Sequence, residues 1–178
     1  MGVCCSQPAR SGSYDFKSNY AAPIVENVLF FPDGKMPCRS IMGGNNVVCK
    51  RDVCVFTITC NEIADEISAA HKRGVRVRII TDDAQRAAQG SDVDRLKAEG
   101  IAVRDDGVIS GYMHHKFAIL DKTILLNGSF NWTRHAVLGN YENIVVSNST
   151  MLCSTFQGQF EELWLKFDKA LSSNLQYV

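Results

Sequence analysis

Seven short apolar, β-rich runs, separated by segments of helical periodicity, set the tightest limit on what this chain can fold into. Residues 24–31 (IVENVLFF) read as a strand stopped by Pro32-Asp33-Gly34. Residues 53–58 (VCVFTI) and 75–81 (VRVRIIT) are two more, and 101–104 form a shorter one. Residues 115–121 and 123–126 make a pair joined by a tight turn, and 141–147 (YENIVVS) close the series. Between them, Asn61 is placed to cap a helix carrying Ile63, Ile67 and Ala70 on one face, with Gly74 at its end. Ser91-x-x-Asp94 has the form of a capping box for a short helix closed by Gly100. Phe156, Phe160, Leu163, Trp164 and Phe167 share one stripe of a last helix, the pattern of a face packed on a core. Strands alternating with helices predict an α/β fold in a single domain. Its expected form is a mixed central β-sheet flanked by helices on both faces. Residues 38–52 fit this scheme least, because Gly43-Gly44-Asn45-Asn46 opposes the crossover helix wanted there.

The chain has 178 residues, 46% of them apolar, enough for one core without covalent staples. Nineteen basic residues balance nineteen acidic ones. Bulk attraction to a polyanion is thereby excluded, though a local patch from Lys72, Arg73, Arg76 and Arg78 is not. No apolar run approaches the roughly 20 residues of a spanning helix. Residues 1–20 contain no apolar leader and are expected to be a flexible tail, with the folded domain over 21–178. Met1-Gly2 with Ser6 fits the pattern for N-myristoylation, and Cys4 and Cys5 offer a second acylation point. Two chains would hold a membrane where one holds it weakly. The remaining cysteines, Cys38, Cys49, Cys54, Cys60 and Cys153, are expected to be free thiols, and their spacing matches no C-x2-C zinc pair. The acidic pairs Asp82-Asp83 and Asp105-Asp106 read as strand-end and turn residues rather than metal ligands.

The chemistry concentrates between residues 111 and 142. The line GYMHHKFAILD contains His114-x-Lys116-x4-Asp121. Alternate residues of a strand share a face, so His114 and Lys116 point one way and His115 the other. An imidazole beside a fixed ammonium suits attack on a phosphodiester: the ring takes the phosphoryl group and the cation offsets charge on its oxygens. Asp121, at the far turn, is better placed to brace neighbours than to touch substrate. Asn127-Gly128-Ser129-Phe130-Asn131 then sets a hydroxyl and an amide two apart, as neutral donors to phosphate oxygens. Glu142 opens the next run, where a carboxylate can fix the tautomer of His114.

These clusters resemble the phospholipase D superfamily, whose signature is H-x-K-x4-D followed by G-S-x-N. GYMHHKFAILD, NGSFNWT and YENIVV, with VLFFPDG and HKRGVRVRIITD before them, resemble the mitochondrial phospholipase D-like branch, which is also called Zucchini or mitochondrial cardiolipin hydrolase. The resemblance runs over about residues 24–170. It implies a phospholipase D-like fold, a hydrolase of phosphodiesters, and no metal or other cofactor. It implies His114 as a nucleophile forming a phosphohistidine, with Lys116, Ser129 and Asn131 on the phosphate oxygens. Glu142 would orient His114, and Asp121 completes the catalytic signature. The reaction needs one histidine to attack and one to protonate the leaving oxygen. With one signature per chain, a homodimer sharing one composite site is expected. The branch implies cardiolipin hydrolysis to phosphatidic acid at the cytosolic face of the mitochondrial outer membrane. Its alternative is a membrane-tethered endonuclease of the small-RNA type, acting on single-stranded RNA or DNA. Relatives in animals carry an apolar N-terminal anchor helix and a Cys/His zinc element; acylation at Gly2 and Cys4 or Cys5 is expected to stand in for the first, at the mitochondrion or otherwise at the cytoplasmic face of another membrane, and the second is reduced and lacks a histidine.

Overall fold

The expected runs pair into one seven-stranded sheet in the computed structural model, which describes residues 27–32, 49–107 and 111–168. The strands are β1 (Asn27–Phe31), β2 (Lys50–Val55), β3 (Arg76–Thr81), β4 (Ala102–Asp105), β5 (Lys116–Leu120), β6 (Ile124–Gly128) and β7 (Glu142–Ser147). The helices are α1 (Asn61–Lys72), α2 (Asp83–Arg86), α3 (Val93–Ala98), α4 (Arg134–Leu138) and α5 (Thr150–Lys166). Spatial order is β1-β7-β6-β5-β2-β3-β4. The β2–β3–β4 half is parallel, and its returns run through α1 and then α2 and α3. The β1, β7, β6, β5 half is antiparallel and joins at the β2–β5 pair. The sheet is therefore mixed, as expected, with one parallel and one antiparallel half.

Side-chain alternation divides the core in two. Val53, Val55, Val77, Ile79, Ala118, Leu120, Leu126, Ile144 and Val146 share one cluster with Ile63 and Ile67 of α1, Leu96 of α3 and Val137 of α4. Cys54, Ile80, Phe117, Ile119 and Leu125 meet Cys153 and Phe160 of α5 on the other face. The aromatic stripe of the last helix is core as expected: Phe160 and Phe167 are buried, and Phe156, Leu163 and Trp164 pack against them. Helices thus cover both faces. The residues 1–20, with Gly2, Cys4 and Cys5, and most of the 38–52 segment lie outside the described residues.

Local expectations shift where charge or capping decides. Asn61 is the first helical residue and Cys60 the cap, with no side-chain capping bond. Asp92 rather than Ser91 precedes α3, while Ser91 Oγ accepts from the Val93 amide at 3.4 Å. The short helices α2 and α4, capped by Asp82 and Thr133, are too brief to leave a periodic signal. β2 starts at Lys50, although Lys50-Arg51-Asp52 reads as polar loop. Asp52 and Arg51 are 0% and 1% exposed. A charge so buried is tolerated only when paired. Asp52 is paired: Arg78 donates to its two oxygens at 2.8 and 3.0 Å, Gln157 donates at 2.9 Å, and Lys50 Nζ lies 2.7 Å away. The same Arg78 reaches Glu161 of α5 at 2.9 and 2.6 Å, and its guanidinium carbon sits 4.7 Å from the centre of the Phe160 ring. Burial alone would raise the Asp52 carboxyl, but the bonds from Arg78, Lys50 and Gln157 outweigh it and hold it below its ordinary value. Hydrogen bonds from Arg78 hold Glu161 down to about 2.

This network also answers the sequence expectation of a basic patch. Arg78 is turned inward against two carboxylates and is unavailable to a polyanion, while Arg76 on the same strand is exposed.

Arg78→Met, which leaves buried Asp52 with only Lys50 and Gln157, is expected to lower unfolding free energy by about 3–5 kcal/mol in urea titration. Because the folded Glu161 value is depressed from 4.5 to about 2, its stabilisation is complete above pH 4.5 and fades as pH falls towards 2. The variant should lose that part of the acid dependence.

Candidate active site

The register Phe117↔Asn127 and Gly128↔Ile144 brings the start of β5, the end of β6 and the start of β7 to one edge of the sheet. Val55↔Lys116 adds the end of β2. Every signature residue but Asp121 belongs to this edge or to the turns leaving it.

His114 and Lys116 meet. Lys116 Nζ lies 2.9 Å from His114 Nδ1 and 3.0 Å from Nε2, and donates to the His114 carbonyl at 2.8 Å. No carboxylate among the described residues forms an ion pair with Lys116. Burial lowers the Lys116 ammonium below its ordinary value, and the charge of Glu142 opposes that shift in part. The result is a half-buried cation set against an imidazole, its three contacts all made to His114. His115 turns away and packs on Phe117, ring centres 5.5 Å apart. Burial, then the charges of Lys116 and His114, lower its value, so it stays neutral at pH 7.

Ser129 and Glu142 also meet. Ser129 Oγ donates to Glu142 Oε2 at 2.5 Å and accepts from the Asn143 amide at 3.1 Å. Asn140 Nδ2 donates to the other Glu142 oxygen at 3.1 Å. Glu142 is thus engaged by Ser129 and Asn140, and no bond from it to His114 is formed among the described residues. Asn131 Oδ1 is buried without a hydrogen-bond partner. Gly128 makes this packing possible: a Cβ there would lie 2.0 Å from the Asn143 carbonyl oxygen.

Asp121 lies elsewhere, at the opposite end of β5. It and Lys122 take positive φ of 47° and 63°, and Thr123 N donates to Leu120 O at 3.0 Å, the form of a type I′ turn. The Asp121 carboxylate accepts from the amides of Cys49 at 2.9 Å and Lys50 at 2.7 Å. It braces the entry of β2 and is not brought to the other signature residues.

Two neighbours were not singled out by the sequence reading. Phe56, directly after β2, places its ring 4.6 Å from the His114 ring. Asp106, 8% exposed, accepts from the amides of Asp83 at 2.9 Å and Met113 at 2.8 Å, fixing the residue before His114. Its only sequence signal was an acidic pair before a glycine. Asp82, Asp83 and Asp106 bring carboxylate oxygens within 4.8 Å of one another, the one grouping of metal-ligating type among the described residues. The described cysteines, Cys49, Cys54, Cys60 and Cys153, are in no disulfide among the described residues, and burial raises the Cys54 and Cys153 thiols. Beside His114 opens a cavity of about 470 Å³ walled by Tyr112, Met113, Leu163 and Phe167, with Asp106 and Lys166 at its polar side.

The family described as "Cardiolipin synthase, PLD-like domain" matches residues 49–164. The chain belongs to the phospholipase D-like family. The enzyme class expected from its motifs, a phosphodiester hydrolase, follows with the family. A mitochondrial cardiolipin hydrolase of Chlamydomonas reinhardtii is 45% identical over 171 residues, 80% of this chain and 74% of that protein. The human protein of that name is 40% identical over 117 residues, 66% of this chain and 46% of its own length. This phospholipase D-like chain thus spans from about half to three quarters of these relatives. Among solved structures, the phospholipase D family member Nuc of Salmonella typhimurium superposes with TM-score 0.70 at 27% identity, covering 79% of this chain and 93% of that one. NucT of Helicobacter pylori, at 22% identity and TM-score 0.71, has the same fold.

Gly128→Ala in this phospholipase D-like chain must push β6 and β7 apart, since the obstacle is backbone. It is expected to cost about 3 kcal/mol in chemical unfolding. The Ser129–Glu142 pairing and turnover should be lost together.

Proposed function

We propose that this chain hydrolyses a phosphodiester through a phosphohistidine on His114, at a site completed by a second copy of the chain. Its proposed substrate is cardiolipin, cut to phosphatidic acid at a membrane surface. The observation that carries the reading is the Lys116 ammonium, within 3.0 Å of both ring nitrogens of His114 and in no ion pair with a described carboxylate. Such a cation draws a phosphodiester anion onto the imidazole. His114 attacks phosphorus in line, and the P–O bond to the leaving alcohol breaks. The leaving oxygen takes its proton from the same histidine of the second copy. Water, deprotonated by that second histidine, then displaces His114 and frees the phosphomonoester. Lys116, Ser129 and the Asn131 amide hold non-bridging oxygens. Glu142 holds Ser129 in place, and Asp121 braces the β5–β6 turn behind them.

Two observations support a lipid. Relatives across animals and an alga bear the name mitochondrial cardiolipin hydrolase. The cavity beside His114 has an apolar side, Tyr112, Met113, Leu163 and Phe167, that suits glycerol and the first acyl carbons, facing a polar side of Asp106, His115 and Lys166. The inward-turned Arg78 leaves less charge for a nucleic-acid strand. The proposed location is the cytosolic face of the mitochondrial outer membrane. No described helix is long and apolar enough to cross a membrane. The proposed attachment is acylation at Gly2 and at Cys4 or Cys5.

Purified protein with cardiolipin vesicles and no added divalent metal should release phosphatidic acid. His114→Ala should lower the rate at least about 10³-fold while the dimer persists. The rate should fall on the alkaline side before the usual lysine value of 10.5, as the buried Lys116 loses its proton. Cleavage of single-stranded RNA without lipid turnover in the same preparation would overturn the lipid assignment in favour of the nuclease. In cells, Gly2→Ala should move the protein from the membrane pellet to the soluble fraction; retention in the pellet would remove the acyl anchor.

A further inference from the structure

Phe56 stands where the parallel and antiparallel halves of the sheet meet, one residue beyond β2. Its backbone is fixed on both sides. The Phe56 amide donates to the His115 carbonyl at 2.8 Å, and the Phe56 carbonyl accepts from Thr81 Oγ1 at 3.1 Å. The ring is therefore anchored to the end of the sheet rather than carried on a free loop. It meets three groups of the site at once. The His114 ring lies 4.6 Å away, tilted by 59°. The Lys116 ammonium lies over the Phe56 face, 5.1 Å from its centre. Tyr112 meets its edge at 6.3 Å and is itself 74% exposed.

Lys116 alone does not fix the imidazole. Its ammonium is nearly equidistant from the two ring nitrogens, so a single donor contacts both without choosing which one faces outward. Glu142, the group expected from the sequence to make that choice, is bonded to Ser129 and Asn140. His114 itself precedes β5 and has no strand ladder of its own. The contacts recorded for the imidazole are with the Phe56 ring and with Lys116, which also touch each other.

We infer that Phe56 is a positioning residue for the nucleophile. Its ring packs against His114 and Lys116 and holds the imidazole in the one orientation that directs a ring nitrogen at phosphorus. The inference rests on the proposed role of His114. Near-attack geometry is steep: a misplacement of about 1 Å costs on the order of 10²-fold in rate. An aliphatic side chain of similar size fills the space but has neither a flat face for the imidazole nor a π-face for the ammonium.

The test uses the full-length protein and bis(p-nitrophenyl) phosphate. Its activated leaving group needs little protonation, so the rate reports attack by the nucleophile. Phe56→Leu is expected to lower kcat about 100-fold with KM within about twofold. Phe56→Tyr, which keeps the ring, is expected to retain kcat within about fivefold. Phe56→Met replaces the leucine variant if the latter fails to fold, with thermal unfolding and dimer mass as controls. A leucine or methionine variant that is folded and keeps wild-type kcat overturns the inference. So does an equal loss in the leucine and tyrosine variants, or a loss confined to KM. His114→Ala, run beside them, separates the two readings. If it keeps turnover, the phosphohistidine reading falls and this inference with it. If it is inactive while Phe56→Leu is not, only the role of Phe56 falls.

Discussion

The architecture turns on one buried charge cluster. Asp52 sits in the central strand β2 at 0% exposure, and an isolated carboxylate there would cost several kcal/mol. Arg78 from β3, Lys50 from β2 itself and Gln157 from α5 meet that cost by satisfying both oxygens. Because Arg78 also carries Glu161, the cluster ties β2, β3 and α5 at one point. Hydrophobic burial alone would let α5 slide along the sheet, since Phe160 and Trp164 present wide, non-directional faces. The fork of Arg78 between two carboxylates has one geometry. With α5 so fixed, Leu163 and Phe167 are delivered as the apolar wall of the cavity beside His114. A structural ion network thus sets a dimension of the site from well behind it.

The site itself is a product of strand ends. Register places the start of β5, the end of β6 and the start of β7 side by side, and each contributes polar groups just where the ladder stops needing them. Close approach at Gly128 lets Ser129 reach Glu142. Asp121 works at the opposite end of β5. By gathering the amides of Cys49 and Lys50 it fixes where β2 enters the sheet, and so where β2 ends, at Phe56. The aspartate of the signature and the ring against His114 are two ends of one strand's alignment. That gives a physical reason for an H-x-K-x4-D spacing whose last member never approaches the first. Five residues of β5 separate the turn from the reacting edge.

What could be read from the sequence follows from which interactions are local. Strands β3, β5, β6 and β7 carry period-two or apolar patterns, and the α5 stripe carries a helical one, so their existence and type were plain. His114, Lys116, Ser129 and Glu142 were legible because spacing along adjacent strands sets them. The start of β2 was hidden, because Lys50-Arg51-Asp52 is strand only by virtue of Arg78, Gln157 and α5, up to 105 residues away. Asp106 was hidden because its carboxylate accepts from backbone amides, those of Asp83 and Met113, which no side-chain pattern announces. Glu142 shows the limit from the other side. Its position was legible, but its hydrogen-bond partner was not. Phe56 was legible as an apolar strand residue and illegible as a neighbour of His114, because that contact depends on β2–β5 register.

Charge placement bears on how such a site takes its substrate. A chain with nineteen basic and nineteen acidic residues projects little long-range field, and Arg78, Arg86, Arg95 and Arg104 are each committed to internal carboxylates. Long-range steering of a polyanion therefore has little to work with. Lys116 is different: it is half-buried, lies against the His114 and Phe56 rings, and forms no ion pair among the described residues. Low local dielectric makes that single charge effective over a few ångströms and negligible beyond a Debye length. Such a site selects a phosphodiester already delivered to its mouth. Delivery by confinement to a membrane surface meets that requirement without a basic groove. With the proposed acyl anchor and a lipid substrate, enzyme and substrate would share one surface, which raises the local concentration of each for the other. The physical case for a lipid over a nucleic-acid strand thus rests on where the arginines are spent as much as on what lines the cavity.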